Sequence, residues 1–267
     1  MKKLTAIILS LMLILSLGAA SARTLDEIKA DGTLIIGTSP DFPPYENLVM
    51  NPATGEFEIL GIEMDIWNLL SEKLGLKLDI RQMDFDSILG YVQTGTFDVG
   101  VSGFTVTEAR KQNTLFSDVY CYEKQVIVVM EGSEIDEIDD LPGKLIAVQS
   151  GTTAEVNCLE NNYTINAYKY NQDAEMALAR GSVDAWIVDA ATGMKLIAEY
   201  NAATNEKKLV VLDEPLTNEP YAFAFALGSE DLVAFVNEAL NELIDNGAVA
   251  EIFAAYDTPY LSPRDAE

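Results

Sequence analysis

The sequence predicts an α/β protein built on mainly parallel sheets. Three observations point there. Short apolar runs such as Leu34-Ile35-Ile36 and Val126–Met130 alternate with longer segments whose apolar residues recur at helical spacing. Four of the runs break off into polar or glycine-rich residues, the places beyond strand ends where such sheets bind ligands. The 267 residues, 49% apolar and 22% charged, can form a large core in one or two domains without covalent staples.

Taken in order, residues 34–38 form a buried strand that Pro40, Pro43 and Pro44 stop. Residues 51–58 read as a loop around Gly55. Apolar residues at 62, 66, 69, 70 and 74 make a helix, and Gly75 stands where a C-terminal cap belongs. Residues 77–81 alternate like a strand. A short helix capped by Asp86 or Ser87 runs to Gln93, a strand spans 97–101, and Thr107 caps the next helix. The second half repeats the rhythm, with strands at 126–130, 145–148, 183–188, 209–212 and 222–227. Helices follow Gly151, begin at Asp173, run from Asp189 to about Tyr200, and close the chain at 231–246 and 249–256. The acidic stretch 131–140 reads as a solvated loop.

Composition narrows the function. With 43 acidic residues against 17 basic ones, the net charge of −26 repels nucleic acids and anionic lipid. The absence of histidine removes Ser-His-Asp and Cys-His catalysis and any His-ligated metal site. No metal or cofactor is expected. Residues 1–22 have the layout of a secretory signal peptide: Lys2 and Lys3, an apolar run of Leu4–Leu17 too short to span a bilayer, and Ala20-Ser21-Ala22 before the cut. No Cys follows that run to accept a lipid, so a periplasmic or secreted protein is expected. Cys121 and Cys158 read equally as a disulfide and as two buried thiols.

Three features could carry chemistry. Arg110, in the first turn after Thr107, can grip a carboxylate with two parallel hydrogen bonds, or it is an ordinary exposed helix arginine. Asp189 leaves an apolar strand and can hold an ammonium, although helix capping is the commoner role for such a residue. Gly151-Thr152-Thr153 opens a helix whose free N–H groups favour an anion. Phe42 and Phe85 flank strand ends and can wall a ligand, or simply fill core.

In order, several stretches resemble the solute-binding proteins of polar amino-acid ABC transporters, bacterial extracellular family 3. They are Gly37-Thr38-Ser39-Pro40-Asp41-Phe42-Pro43-Pro44-Tyr45, Gly61-Ile62-Glu63-Met64-Asp65, Asp84-Phe85-Asp86-Ser87, the run from Phe97 to Arg110, Phe116-Ser117-Asp118, Gly151-Thr152-Thr153, Gly181–Ala185 with Val188-Asp189, and Asp245-Asn246-Gly247. The resemblance implies a two-lobed periplasmic-binding-protein fold (type II), with a ligand cleft between lobes joined by two hinge strands. Residues 24–121 and 220–260 would form lobe 1, and 122–219 lobe 2. It also implies that Arg110 binds the ligand carboxylate and Asp189 its ammonium. Ser102, Gly103, Thr105, Thr152 and Thr153 would hold the ligand backbone, and Phe42 and Phe85 would form aromatic walls. Ser39 and Gln149 would line the side-chain pocket; Glu63 either contacts ligand or caps its helix, the cap being favoured. An uncharged Ser39, where cation-binding members often carry an acid, argues for a neutral polar ligand; a basic ligand survives if Glu63 points inwards. The implied activity is capture of an amino acid by hinge closure and delivery to a membrane permease by a monomer, with no catalysis. The alternatives are a same-fold enzyme (dehydratase- or transglycosylase-like), for which Glu63 is the one candidate acid, and a ligand-sensing module.

Overall fold

The computed structural model describes residues 22–204, 208–212 and 214–265. The predicted signal segment, apart from Ala22, lies outside the described residues. In chain order the elements are α1 (Leu25–Asp31), β1 (Thr33–Thr38), β2 (Asp41–Phe42), β3 (Glu46–Met50), β4 (Phe57–Leu60), α2 (Ile62–Leu74), β5 (Lys77–Gln82), α3 (Phe85–Gln93), β6 (Val99–Gly100), α4 (Glu108–Lys111), β7 (Thr114–Phe116) and β8 (Cys121–Glu123). There follow β9 (Gln125–Met130), β10 (Leu145–Gln149), α5 (Thr153–Glu160), β11 (Thr164–Tyr168), α6 (Asn171–Ala179), β12 (Ala185–Asp189), α7 (Ala190–Ala203), β13 (Leu209–Val211), β14 (Glu219–Tyr221), β15 (Ala224–Ala226), α8 (Glu230–Asp245) and α9 (Ala248–Ala255).

These elements build two five-stranded sheets, ordered β5-β1-β6-β15-β7 and β11-β10-β12-β9-β13. Each is mixed, which corrects the expectation of mainly parallel sheets. Strands joined by crossover helices pair in parallel, β1 with β5 and β6, and β10 with β11 and β12. The strands next to the crossings between sheets, β15 and β9, run antiparallel to their neighbours. The chain crosses at β8 and returns at β14, and these two strands pair antiparallel, Cys121 opposite Tyr221 and Glu123 opposite Glu219. The result is a two-lobed α/β molecule with a pair of connecting strands between the lobes.

Each lobe has its own apolar core. In the first, Trp67 of α2, Phe223 and Phe225 are fully buried together with Leu34 and Ile36 of β1. In the second, Trp186 and Val128 are fully buried with Leu178 of α6. Each such side chain contributes about 1.5–3 kcal/mol by leaving water. Cys121 and Cys158 are both free and lie in the cores of different lobes, which settles the question of their pairing. Among the described residues no helix is long and apolar enough to cross a membrane.

Three local expectations need correction. The stretch 51–58 is the tip and second arm of a hairpin: β3 and β4 pair from Asn47–Leu60 to Met50–Phe57, with Gly55 in the turn. The helix assigned to Asp86 or Ser87 begins earlier, after Asp84, and the one assigned to Asp173 begins after Tyr170. In both, an aromatic or amide residue at the start was read as part of the preceding loop. Strand β11 and helix α1 carried no assignment; β11 is half-exposed, so its apolar signal is weak.

Candidate ligand cleft between the lobes

The strand ends of both sheets meet across a cleft. From the first lobe, Phe42, Phe85, Ser102, Gly103, Thr105 and Arg110 line a narrow internal cavity; from the second come Gln149, Thr152, Thr153 and Asp189. The structure thus brings these ten together. It adds Asp41, which the sequence reading passed over. It leaves out Ser39 and Glu63.

Arg110 is positioned by α4, whose N-cap Thr107 accepts from the Arg110 backbone N–H at 3.1 Å. The side chain turns back over the aromatic rings of Phe85 and Phe104, 5.8 and 5.6 Å from their centres. Two of its five N–H groups donate to backbone carbonyls, Thr105 at 2.8 Å and Gly151 of the other lobe at 3.0 Å. None of the ion pairs among the described residues involves it. Burial pulls the guanidinium below its usual value, while the charges of Glu219 and Asp189 act the other way. A cation held in the wall with donors to spare can receive a carboxylate.

Asp189 ends β12 and begins α7, but its side chain makes no capping bond. Its Oδ1 is buried and has no hydrogen-bond partner. Burial, then the charges of Glu219 and Glu123, hold this carboxyl well above the ordinary range. A buried acceptor left without a donor is costly and calls for one, and an ammonium supplies both the hydrogen and the charge. Thr153 donates to Glu219 at 3.0 Å and accepts from Gln125 at 2.8 Å, which fixes the start of α5 against the connecting strands.

Two glycines set the closest approaches. Gly103 has φ +57°, and a Cβ there would stand 2.6 Å from the Phe42 ring. Gly151 has φ +81°, and its Cβ would stand 2.9 Å from the Asp86 backbone of the opposite lobe.

Glu63 is neither a ligand contact nor a cap. It is fully buried behind the cavity wall, where Oε2 accepts from the Gly103 backbone N–H at 3.0 Å and Oε1 from the Tyr120 hydroxyl at 2.7 Å; α2 begins at Gly61 without a side-chain cap. Glu46, also fully buried, accepts from Ser102 Oγ at 2.7 Å and lies within hydrogen-bonding range of Glu63. Burial raises both carboxyls, and the Glu63 charge drives Glu46 well above its usual range. Ser102 in turn accepts from the Ser39 backbone N–H at 3.1 Å. This network stiffens the Ser102-Gly103 segment from behind.

Ser39 lies in a different depression, outside the cavity, and its hydroxyl donates to Asp41 Oδ1 at 2.7 Å. Asp41 itself is buried and bridges the lobes: its Oδ2 accepts from Gln149 Nε2 at 2.9 Å and from the Asn171 backbone and amide at 2.9 and 3.4 Å. A signal for it existed. Asp41 stands two residues beyond Ser39 across a tight turn at Pro40, in which its backbone N–H donates to the Ser39 carbonyl at 2.9 Å.

Among the described residues there is no cluster of three or more metal-ligating side chains.

Residues 34–258 match the bacterial extracellular solute-binding proteins, family 3. The chain belongs to that family. Similar relatives include the arginine-binding protein ArgT of Corynebacterium glutamicum, 30% identical over 84% of this chain and 74% of the relative. Another is the L-cystine-binding protein TcyJ of Escherichia coli K12, 26% identical over 86% and 84%. A crystal structure of the substrate-binding protein of an amino-acid ABC transporter superposes with a TM-score of 0.77 at 35% identity, covering 84% of this chain and 98% of that one. Family 3 is a family of extracellular proteins by its own description. Relatives with different ligands share the frame, so the frame alone does not choose the amino acid.

Proposed function

We propose that this protein captures a polar α-amino acid between its lobes and delivers it to an ABC-transporter permease. One observation carries the reading. On opposite walls of one cavity stand a guanidinium with no carboxylate partner and a carboxylate oxygen with no donor. A zwitterion completes both, and the two opposite charges offset each other's loss of water.

The tightness of the cavity supports hinge motion. Its free volume is about 10 Å³, against about 460 and 360 Å³ for the grooves at its two mouths. An amino acid enters only when the lobes part. Once inside, it bonds both lobes and so favours the closed arrangement by differential affinity. The moving bodies are residues 24–121 with 220–260, and 122–219. Every group of the clamp comes from one chain, which fits a monomer. The net charge of −26 disfavours nucleic acid as a partner. A cleaved signal peptide and release into the periplasm or medium fit the family's extracellular habit. The enzymatic alternative is weakened, because its candidate acid, Glu63, is fully buried and has its oxygens engaged by Gly103 and Tyr120. Binding without turnover is therefore the function assigned.

The test is calorimetry and thermal shift across the protein amino acids and cystine. A specific ligand stabilises the folded state by mass action, by about 2.7 kcal/mol at one hundred times Kd, and so raises the melting point. The ligand should be recovered unchanged after incubation. Failure of every amino acid to shift the melting point, or recovery of a product, would refute the reading.

A further inference from the structure

The cavity is polarised along its length in a way the zwitterion clamp does not use. Arg110 stands at the end that opens into the groove beside Thr107 and Glu219. Asp41 stands at the opposite end, which opens into the groove beside Asp84 and Tyr170. With the α-carboxylate on Arg110 and the ammonium on Asp189, the Asp41 end is what remains for the ligand's side chain.

The charges do not cancel there. The charged residues lining the cavity are Arg110, Asp41 and Asp189. A zwitterion answers Arg110 and Asp189 and leaves Asp41 over. All the hydrogen-bond donors on Asp41 are neutral: Ser39 Oγ on Oδ1, and Gln149 and Asn171 on Oδ2. No ion pair among the described residues includes it. Its Oδ1 keeps acceptor capacity, and a carboxylate pairs best with a charged donor.

The neighbouring amide cannot serve a neutral ligand in its place. Both N–H groups of Gln149 are spent, on Asp41 at 2.9 Å and on the Lys169 carbonyl at 3.0 Å, and its Oε1 accepts from Asn171 at 2.9 Å. Within the cavity, the polar capacity left at this end is that of Asp41; the groove beyond adds Gln82 and Tyr170, and its other acid, Asp84, is paired with Lys169 at 2.6 Å. That groove leaves room for a long chain, about 460 Å³.

We propose that Asp41 is the specificity-determining residue of the cleft and that it selects an α-amino acid with a cationic side chain of arginine or lysine length. This rests on the amino-acid reading above and reverses the neutral ligand that Ser39 suggested. Ser39 hands its hydrogen to Asp41, and the acid two residues on faces the cavity.

The experiment compares L-arginine with L-citrulline, its uncharged isostere, by calorimetry on the whole mature chain, with L-lysine alongside. Arginine should bind roughly 10- to 100-fold tighter than citrulline, the worth of a hydrogen bond to a charged group. In Asp41→Asn the ratio should collapse towards one. Citrulline binding as tightly as arginine overturns the proposal and leaves the amino-acid reading standing. So does Asp41→Asn, folded by its melting curve, with the ratio retained. If Asp41→Asn does not fold, Asp41→Ser serves the same comparison, and the wild-type ratio alone still decides. If no α-amino acid of any charge binds, the underlying reading falls as well, and the outcome is distinct from the other two.

Discussion

The two buried acids behind the cavity wall respond in opposite ways to the same change. Glu63 receives two donors, the Gly103 backbone N–H and the Tyr120 hydroxyl, and stands beside the Glu46 carboxyl. Glu63→Gln keeps one acceptor oxygen and turns an NH2 group towards groups that themselves donate. At least one buried donor is stranded, at a cost of about 1–3 kcal/mol. In a chain of this size that lowers the melting point by about 2–12 °C. In this prediction the shared proton sits on Glu46, which then donates to Glu63 while accepting from Ser102. Glu46→Gln reproduces both bonds and should cost under about 1 kcal/mol. Its effect depends on pH with a definite sign. The folded state keeps a proton on Glu46 that the unfolded chain sheds above its ordinary value of 4.5, so wild-type stability falls as pH rises from there through the raised value. Glu46→Gln removes that slope and gains on wild type as pH increases. Denaturant melts of the three proteins from pH 5 to 9 provide the assay. Equal losses in both variants, or an unchanged pH slope in Glu46→Gln, would refute the assignment of the proton.

Other outcomes follow from the cleft. Arg110→Ala should weaken amino-acid binding by at least about 30-fold, because truncating one member of a buried charge pair costs 2–5 kcal/mol or more; titration calorimetry reads it. Burial and the charges of Glu219 and Glu123 raise the Asp189 carboxyl, and an arriving ammonium lowers it again. Binding should therefore release a proton, measured from the dependence of the binding enthalpy on the buffer, and affinity should rise with pH until it passes the raised value of Asp189. Gly103→Ala should lower the melting point by about 2–8 °C, since a side chain at φ +57° costs 1–2 kcal/mol before the contact with Phe42 is counted, and it should weaken ligand binding too.

Much of this was legible in the sequence because the signals are local. The period of α2 and its closing Gly75 came out at the observed bounds, 62–74. Arg110 after its Thr107 cap and Asp189 at the exit of β12 stand where strand ends and helix starts predict. The hairpin of β3 and β4 was missed because its arms expose Met50, Phe57 and Leu60, so no alternation of apolar and polar residues marks it. The roles of Glu46, Glu63 and Asp41 were out of reach for a different reason. Each is defined by partners 40 to 130 positions away along the chain, such as Gly103 for Glu63 and Asn171 for Asp41, and no window on the sequence brings those partners together. The charge of the side-chain pocket turns on the same kind of contact: Ser39 is neutral on its own, and the hydrogen bond from its hydroxyl to Asp41 shows only in the fold.

The order of strands in the first sheet bears on how the molecule can be made. Strand β15 lodges between β6 and β7, although about a hundred residues separate it from either in the chain. Until Ala224–Ala226 arrive, the first sheet lacks an interior member and cannot zip shut, whereas the second, encoded without interruption from β9 to β13, has all its strands to hand. A polypeptide threaded through a narrow conduit from its N-terminus would thus find the earlier-emerging lobe the last to consolidate. Such a delay suits a product that has to stay pliable until nearly all of it has passed through.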